Sequence, residues 1–152
     1  MLPTPRKFTL VAGAGEGDST LTAFDKALLS AGVGNLNLLR VSSILPPGAQ
    51  YFQQVDIPPG SLTPTAYGAI TSEIPGQLIA AAIGAGIITG SFGVIMEFTG
   101  MCTKAEAEAR VEKMVREALA TRNVRPEEIM VKAVEHLVEQ TGCAFAGAVL
   151  WY

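Results

Sequence analysis

The sequence predicts an α/β fold, a layered αββα-type sandwich with mostly antiparallel sheets and two main helices. Three observations predict it: several runs of alternating apolar and polar residues, two segments with apolar residues at helical spacing behind capping residues, and Gly or Pro between them. At 152 residues the chain fits one domain and can bury a core without disulfides or metals.

The first strand is expected over Lys7 to Ala12, and the glycine-rich stretch Gly13 to Gly17 reads as a tight turn. Asp18 or Ser19 caps the helix that follows, in which Leu21, Phe24, Ala27, Leu28 and Ala31 share one face until Gly32 ends it. The run Asn35 to Ile44 alternates as a single strand and stops at Pro46-Pro47, where a Pro/Gly-rich loop begins. Further strands are expected over Leu62 to Ile74, Gln77 to Thr89 and Phe92 to Thr99. The second helix begins at Thr103, with Glu106 in the reciprocal capping position, and presents Ala107, Val111, Met114, Val115, Ala118 and Leu119 on one side. Strands over Ile129 to Val138 and Ala144 to Trp151 close the chain.

Composition excludes several functions. A net charge of −3 gives no basic footprint for nucleic acid. Two cysteines, Cys102 and Cys143, are too few for a zinc site or a disulfide framework and read as buried thiols in a reducing cytoplasm. No signal peptide is evident, so the expected location is cytoplasmic. Hydrophobic residues make up 49% of the chain and mean hydropathy is +0.34, values that suggest a surface covered by partner subunits. Ile74 to Met96 carries no charge and is long enough to cross a bilayer. Pro75 and five glycines interrupt it and no Lys/Arg cluster flanks it, so two buried strands are expected instead.

Conventional catalytic motifs are missing. The one histidine, His136, falls in a strand pattern and reads as a half-exposed strand residue rather than a base. The glycine stretch follows a strand and precedes a helix, as a dinucleotide cradle does, but its spacing is G-x-G-x-G and position 18 is Asp. Glycines that admit close helix-to-strand packing explain it better. Ser42-Ser43 ends an apolar strand just before a constrained Pro-Pro turn, a place where backbone strain is available.

The stretches NLNLLRVSSILPP (35–47), LTPTAYG (62–68), IME (95–97) and EHLVEQTGCAFAGAVLWY (135–152), together with Val11 to Gly34 including Phe24-Asp25, resemble the pyruvoyl-dependent arginine decarboxylases. The resemblance runs over nearly the whole chain in order, with a shorter start than in some relatives. It implies a precursor that cuts itself between Ser42 and Ser43 into a beta chain, 1–42, and an alpha chain, 43–152, Ser43 becoming a covalent pyruvoyl group. It implies that Asn37 is a hydrogen-bond donor at the cut, that Glu97 is the proton donor, and that Asp25 binds the guanidinium of arginine. Even spacing along the expected strand puts Asn37 on the same face as Ser43. A carboxylate suits the planar fork of a guanidinium, and apolar neighbours of Glu97 suit an acid that must hold its proton. The resemblance further implies a homo-oligomer, a trimer or dimer of trimers, in which Asp25 serves a neighbour's pyruvoyl group, and neither a metal, a nucleic acid nor a membrane. Two other readings stay open: the same chemistry on another amino acid such as histidine, and an unprocessed, non-catalytic homologue acting as a binding subunit.

Overall fold

A computed structural model describes residues 2–152. In chain order the elements are β1 (Lys7–Glu16), α1 (Thr20–Ser30), β2 (Asn37–Arg40), β3 (Ile44–Leu45), β4 (Gln50–Tyr51), β5 (Leu62–Ser72), β6 (Leu78–Ile87), β7 (Gly93–Gly100), α2 (Lys104–Thr121), β8 (Glu128–Leu137) and β9 (Gly142–Trp151). The first sheet runs β2-β5-β9-β1-β4 and the second β3-β7-β6-β8. Only β1–β4 and β2–β5 pair in parallel; the other neighbours are antiparallel. The layered αββα sandwich expected from the sequence is therefore present, with α1 on the outside of the first sheet and α2 on the outside of the second.

Burial explains the layers. Between the sheets lie Phe8, Leu10, Ile79, Ile83, Ile95, Ala144, Ala146 and Leu150. Ala23, Ala27 and Leu28 of α1 pack on Phe145 and Val149, while Ala107 and Val111 of α2 cover Ala80 and Ala82. Central β6 and β9 are covered on both faces, which is why their sequences are continuously apolar instead of alternating. The uncharged stretch from Ile74 to Met96 is thus β6 and the first half of β7, joined by a turn at Gly90. No helix among the described residues is long and apolar enough to cross a membrane.

Three expectations need correction. Gly13 to Gly17 is not a turn: β1 continues to Glu16, paired residue for residue with β9 down to Gly142. A Cβ at Gly13 would stand 2.5 Å from the Ala31 amide, and one at Gly15 would stand 2.6 Å from Lys26 Cβ. These glycines let α1 lie directly on the strand, and α1 takes its own cap from Ser19, whose hydroxyl accepts from the Thr22 N–H. At α2, Thr103 accepts from the Glu106 N–H, but the neighbouring Lys104 N–H donates to Glu135 Oε1 in β8, so the cap is tied to the sheet rather than closed by Glu106. Most consequentially, Asn35 to Ile44 is not one strand. β2 stops at Arg40 in the first sheet and β3 starts at Ile44 in the second, so the chain changes sheets between them.

Candidate active site at the sheet crossover

The crossover residues are Val41, Ser42 and Ser43. Val41 still donates to the Thr65 carbonyl of β5 (3.1 Å), and the Ser43 carbonyl already accepts from the Ile95 N–H of β7 (2.8 Å). The Ser42–Ser43 linkage therefore lies between a last anchor on one sheet and a first anchor on the other. Ser42 is exposed and Ser43 half-buried.

The β3–β7 register pairs Ile44 with Val94, and carrying it back one residue sets Ser43 opposite Ile95. Ile95 faces the space between the sheets, and Glu97, two residues on, faces the same way. Ser43 and Glu97 are thus diagonal neighbours on one face, about 7–8 Å apart at the Cα level. Glu97 packs across to the first sheet, where Gly68 leaves room for it: a Cβ there would be 3.4 Å from Glu97 Cβ and Cγ. Burial raises the Glu97 carboxyl above its usual range, while the positive charge of Arg40 and a backbone hydrogen bond pull it back only in part. The result is a carboxyl of raised proton affinity on the face it shares with Ser43.

The other sequence-expected residues lie elsewhere. Asn37 is exposed, and its Nδ2 donates to the Gly60 carbonyl at 3.0 Å. Its even spacing from Ser43 carries no facing relation once the strand is broken at the crossover. Asp25 is exposed on α1, in the layer outside the first sheet, with that sheet between it and the Glu97 side. Sequence reasoning singled out neither Arg40 nor Gly68, although both fall inside the stretches that carry the family likeness. Arg40 donates to the Tyr67 carbonyl at 2.6 Å, and its guanidinium carbon sits 4.4 Å from the centre of the Tyr67 ring. The signal was available as an arginine just ahead of Val-Ser-Ser, but in a strand pattern it is indistinguishable from a solvated charge.

Two other features attract attention without forming this site. A cleft of about 840 Å³ between β1, the end of α1 and residues 53–57 is lined by groups such as Asn35, Gln54 and Asp56 and does not reach Ser43 or Glu97. Among the described residues no cluster of His, Cys, Asp and Glu is arranged to hold a metal ion.

The strand-to-strand crossover brings a serine pair and an acid of raised proton affinity onto one face, and comparison places the chain in the class of pyruvoyl-dependent decarboxylases. Comparison with known proteins gives the particular group. The family model for pyruvoyl-dependent arginine decarboxylase matches residues 7–152, and the chain belongs to that family. The pyruvoyl-dependent arginine decarboxylase of Methanocaldococcus jannaschii is 49% identical over 150 residues, covering 97% of this chain and 91% of the relative. Those of Methanococcus maripaludis strain C5 and Pyrococcus furiosus are 47% and 40% identical over at least 97% of this chain and at least 92% of theirs. The family is named for a covalently bound pyruvoyl group. The residues here fit one at position 43, because the Ser43 carbonyl is held by the β7 amide and not by its link to Ser42.

Proposed function

We propose that the chain cleaves itself between Ser42 and Ser43 and then decarboxylates L-arginine to agmatine and CO2. The observation that carries the reading is the placement of Ser43 in the sheet crossover, diagonal to the half-buried Glu97. In processing, the Ser43 hydroxyl attacks the Ser42 carbonyl, the peptide nitrogen leaves as the Ser43 amine, and an ester joins the two residues. Loss of the Ser43 α-proton then expels the Ser42 carboxylate. Water replaces the nitrogen at position 43 as ammonia departs, leaving a ketone at the head of residues 43–152.

The pyruvoyl group supplies an electron sink for the pair released as CO2 leaves the substrate. Glu97 returns a proton to the substrate's α-carbon, a role for which its raised proton affinity is suited. Asp25, exposed on α1, is available to a neighbouring subunit's substrate, where its carboxylate meets the guanidinium fork. The donor role proposed for Asn37 requires its amide to leave the Gly60 carbonyl during processing. Exposed Leu21 and Leu29 on α1 and Leu39 and Leu62 at the β2–β5 edge offer apolar surface for a homotrimer.

The test is intact mass measurement of the purified protein beside its Ser43→Ala variant. The expected outcome is two wild-type fragments, 1–42 and 43–152, the larger lacking a free amino terminus and reacting with hydrazine, with the variant whole and inactive. An uncut, hydrazine-inert wild type that has been incubated at length overturns the proposal.

A further inference from the structure

The end of β2 leaves β5 with a carbonyl that no strand partner reaches. Arg40 pairs with Thr65, and Val41 takes the Thr65 carbonyl as the chain departs for the second sheet. The next outward carbonyl on that edge, at Tyr67, is taken by the Arg40 side chain at 2.6 Å. The same guanidinium lies 4.4 Å from the centre of the Tyr67 ring, so an exposed, flexible side chain is fixed at two points. The peptide it grasps leads into Gly68, the residue against which Glu97 Cβ and Cγ pack. Among the described residues Arg40 forms no ion pair, leaving its charge uncommitted.

We infer that Arg40 is a positioning residue of this site: clamped to the Tyr67 carbonyl at the open edge of β5, it fixes the Tyr67–Gly68 peptide on which Glu97 rests and keeps one positive charge at that edge. The inference rests on the reading of Glu97 as proton donor. Other charges are poorly placed for the task. The row through Glu97 crosses apolar Ile83 before reaching Lys132 on β8, two strands away. Arg110 of α2 lies over Phe98 on the opposite face of the second sheet, and β5 and β9 face Glu97 with Gly68 and alanines. Arg40 is also the strongest influence opposing burial at Glu97. The clamp has a second consequence: after a cut at 42/43 it ties the short fragment to β5 of the long one.

The experiment follows the Glu97 carboxyl directly by carbon NMR in the uncut Ser43→Ala protein, the signal being assigned by its disappearance in Glu97→Gln. Adding Arg40→Met should move the Glu97 titration midpoint to higher pH, and Arg40→Lys, which keeps charge without the fork, should fall between. If Arg40→Met fails to fold, Arg40→Gln retains a donor for the Tyr67 carbonyl and gives the same reading. In the cleaved enzyme the alkaline limb of the kcat profile should shift upward in the uncharged variant. An unchanged midpoint in a folded, uncharged variant overturns the inference. A wild type that is never cut, or full turnover in Glu97→Gln, instead overturns the proposed function and leaves the titration to decide the role of Arg40.

Discussion

His136 Nε2 lies 2.5 Å from Glu16 Oε2, and the Glu16 carboxylate also accepts from the backbone amides of Glu139, Gln140 and Thr141. One side chain at the end of β1 thus holds the β8–β9 turn. Burial pushes the Glu16 carboxyl up, but the His136 contact and the turn amides outweigh it, and its proton affinity ends below the usual range. Stability from a depressed acid is complete above its unfolded pKa, about 4, and is lost as pH falls through the lower folded value. Resistance to urea should therefore fall on acidification in the wild type and less so in Glu16→Gln, which at neutral pH should already be about 1.5–3 kcal/mol less stable. Equal acid sensitivity of the two proteins would rule out this clamp. The proposed chemistry turns at this scale on Glu97: Glu97→Gln should still be cleaved, with kcat down about 100- to 10,000-fold, read by CO2 release. How much of this was legible differs by residue. Ser43 and Glu97 were singled out because they stand inside a recognisable order of motifs, and His136 is the half-exposed strand residue that its pattern suggests. Glu16 hid in a glycine-rich stretch, because its partners lie some 120 residues away and no local pattern announces them.

At the scale of elements, the glycines of β1 show why strand and turn were confused. A stretch reading Gly-x-Gly-x-Gly has the composition of a turn, yet alternate glycines in a strand point to one face, and here that face is covered by α1. Gly15→Ala should force the helix outward from a contact of 2.6 Å at Lys26 Cβ and cost about 1–3 kcal/mol, seen as a lower denaturation midpoint with an unchanged slope. If the midpoint holds, the close approach of α1 to β1 is not needed for stability. The helices and the long strands β5 to β9 were legible because capping and apolar periodicity are local properties. The break between β2 and β3 was not, since alternation continues through Ser42 and Ser43 while the hydrogen-bond partners change from β5 to β7. That break leaves the Ser42–Ser43 peptide outside both strands, as the proposed cleavage needs.

For the whole molecule, the two acids given roles in the proposed reaction lie in different layers. Glu97 lies between the sheets and Asp25 on the outer helix, so a single chain does not present both to one substrate. In the proposed closed ring of identical subunits, each copy would offer its α1 face to the crossover of the next. Mixed assemblies give a sharp prediction. A Ser43→Ala subunit keeps Asp25 but forms no ketone; an Asp25→Ala subunit is cleaved but lacks the guanidinium partner. Each alone should be inactive, whereas unfolding them together and refolding at equal amounts should restore roughly a quarter of the wild-type sites, the share in which a cleaved chain has an intact Asp25 next to it. Restored agmatine formation in the refolded mixture, and none on simple mixing without subunit exchange, is the expected result. No recovery from properly assembled mixtures would mean that Asp25 serves its own chain or does not bind substrate, and the shared site between copies would have to be given up.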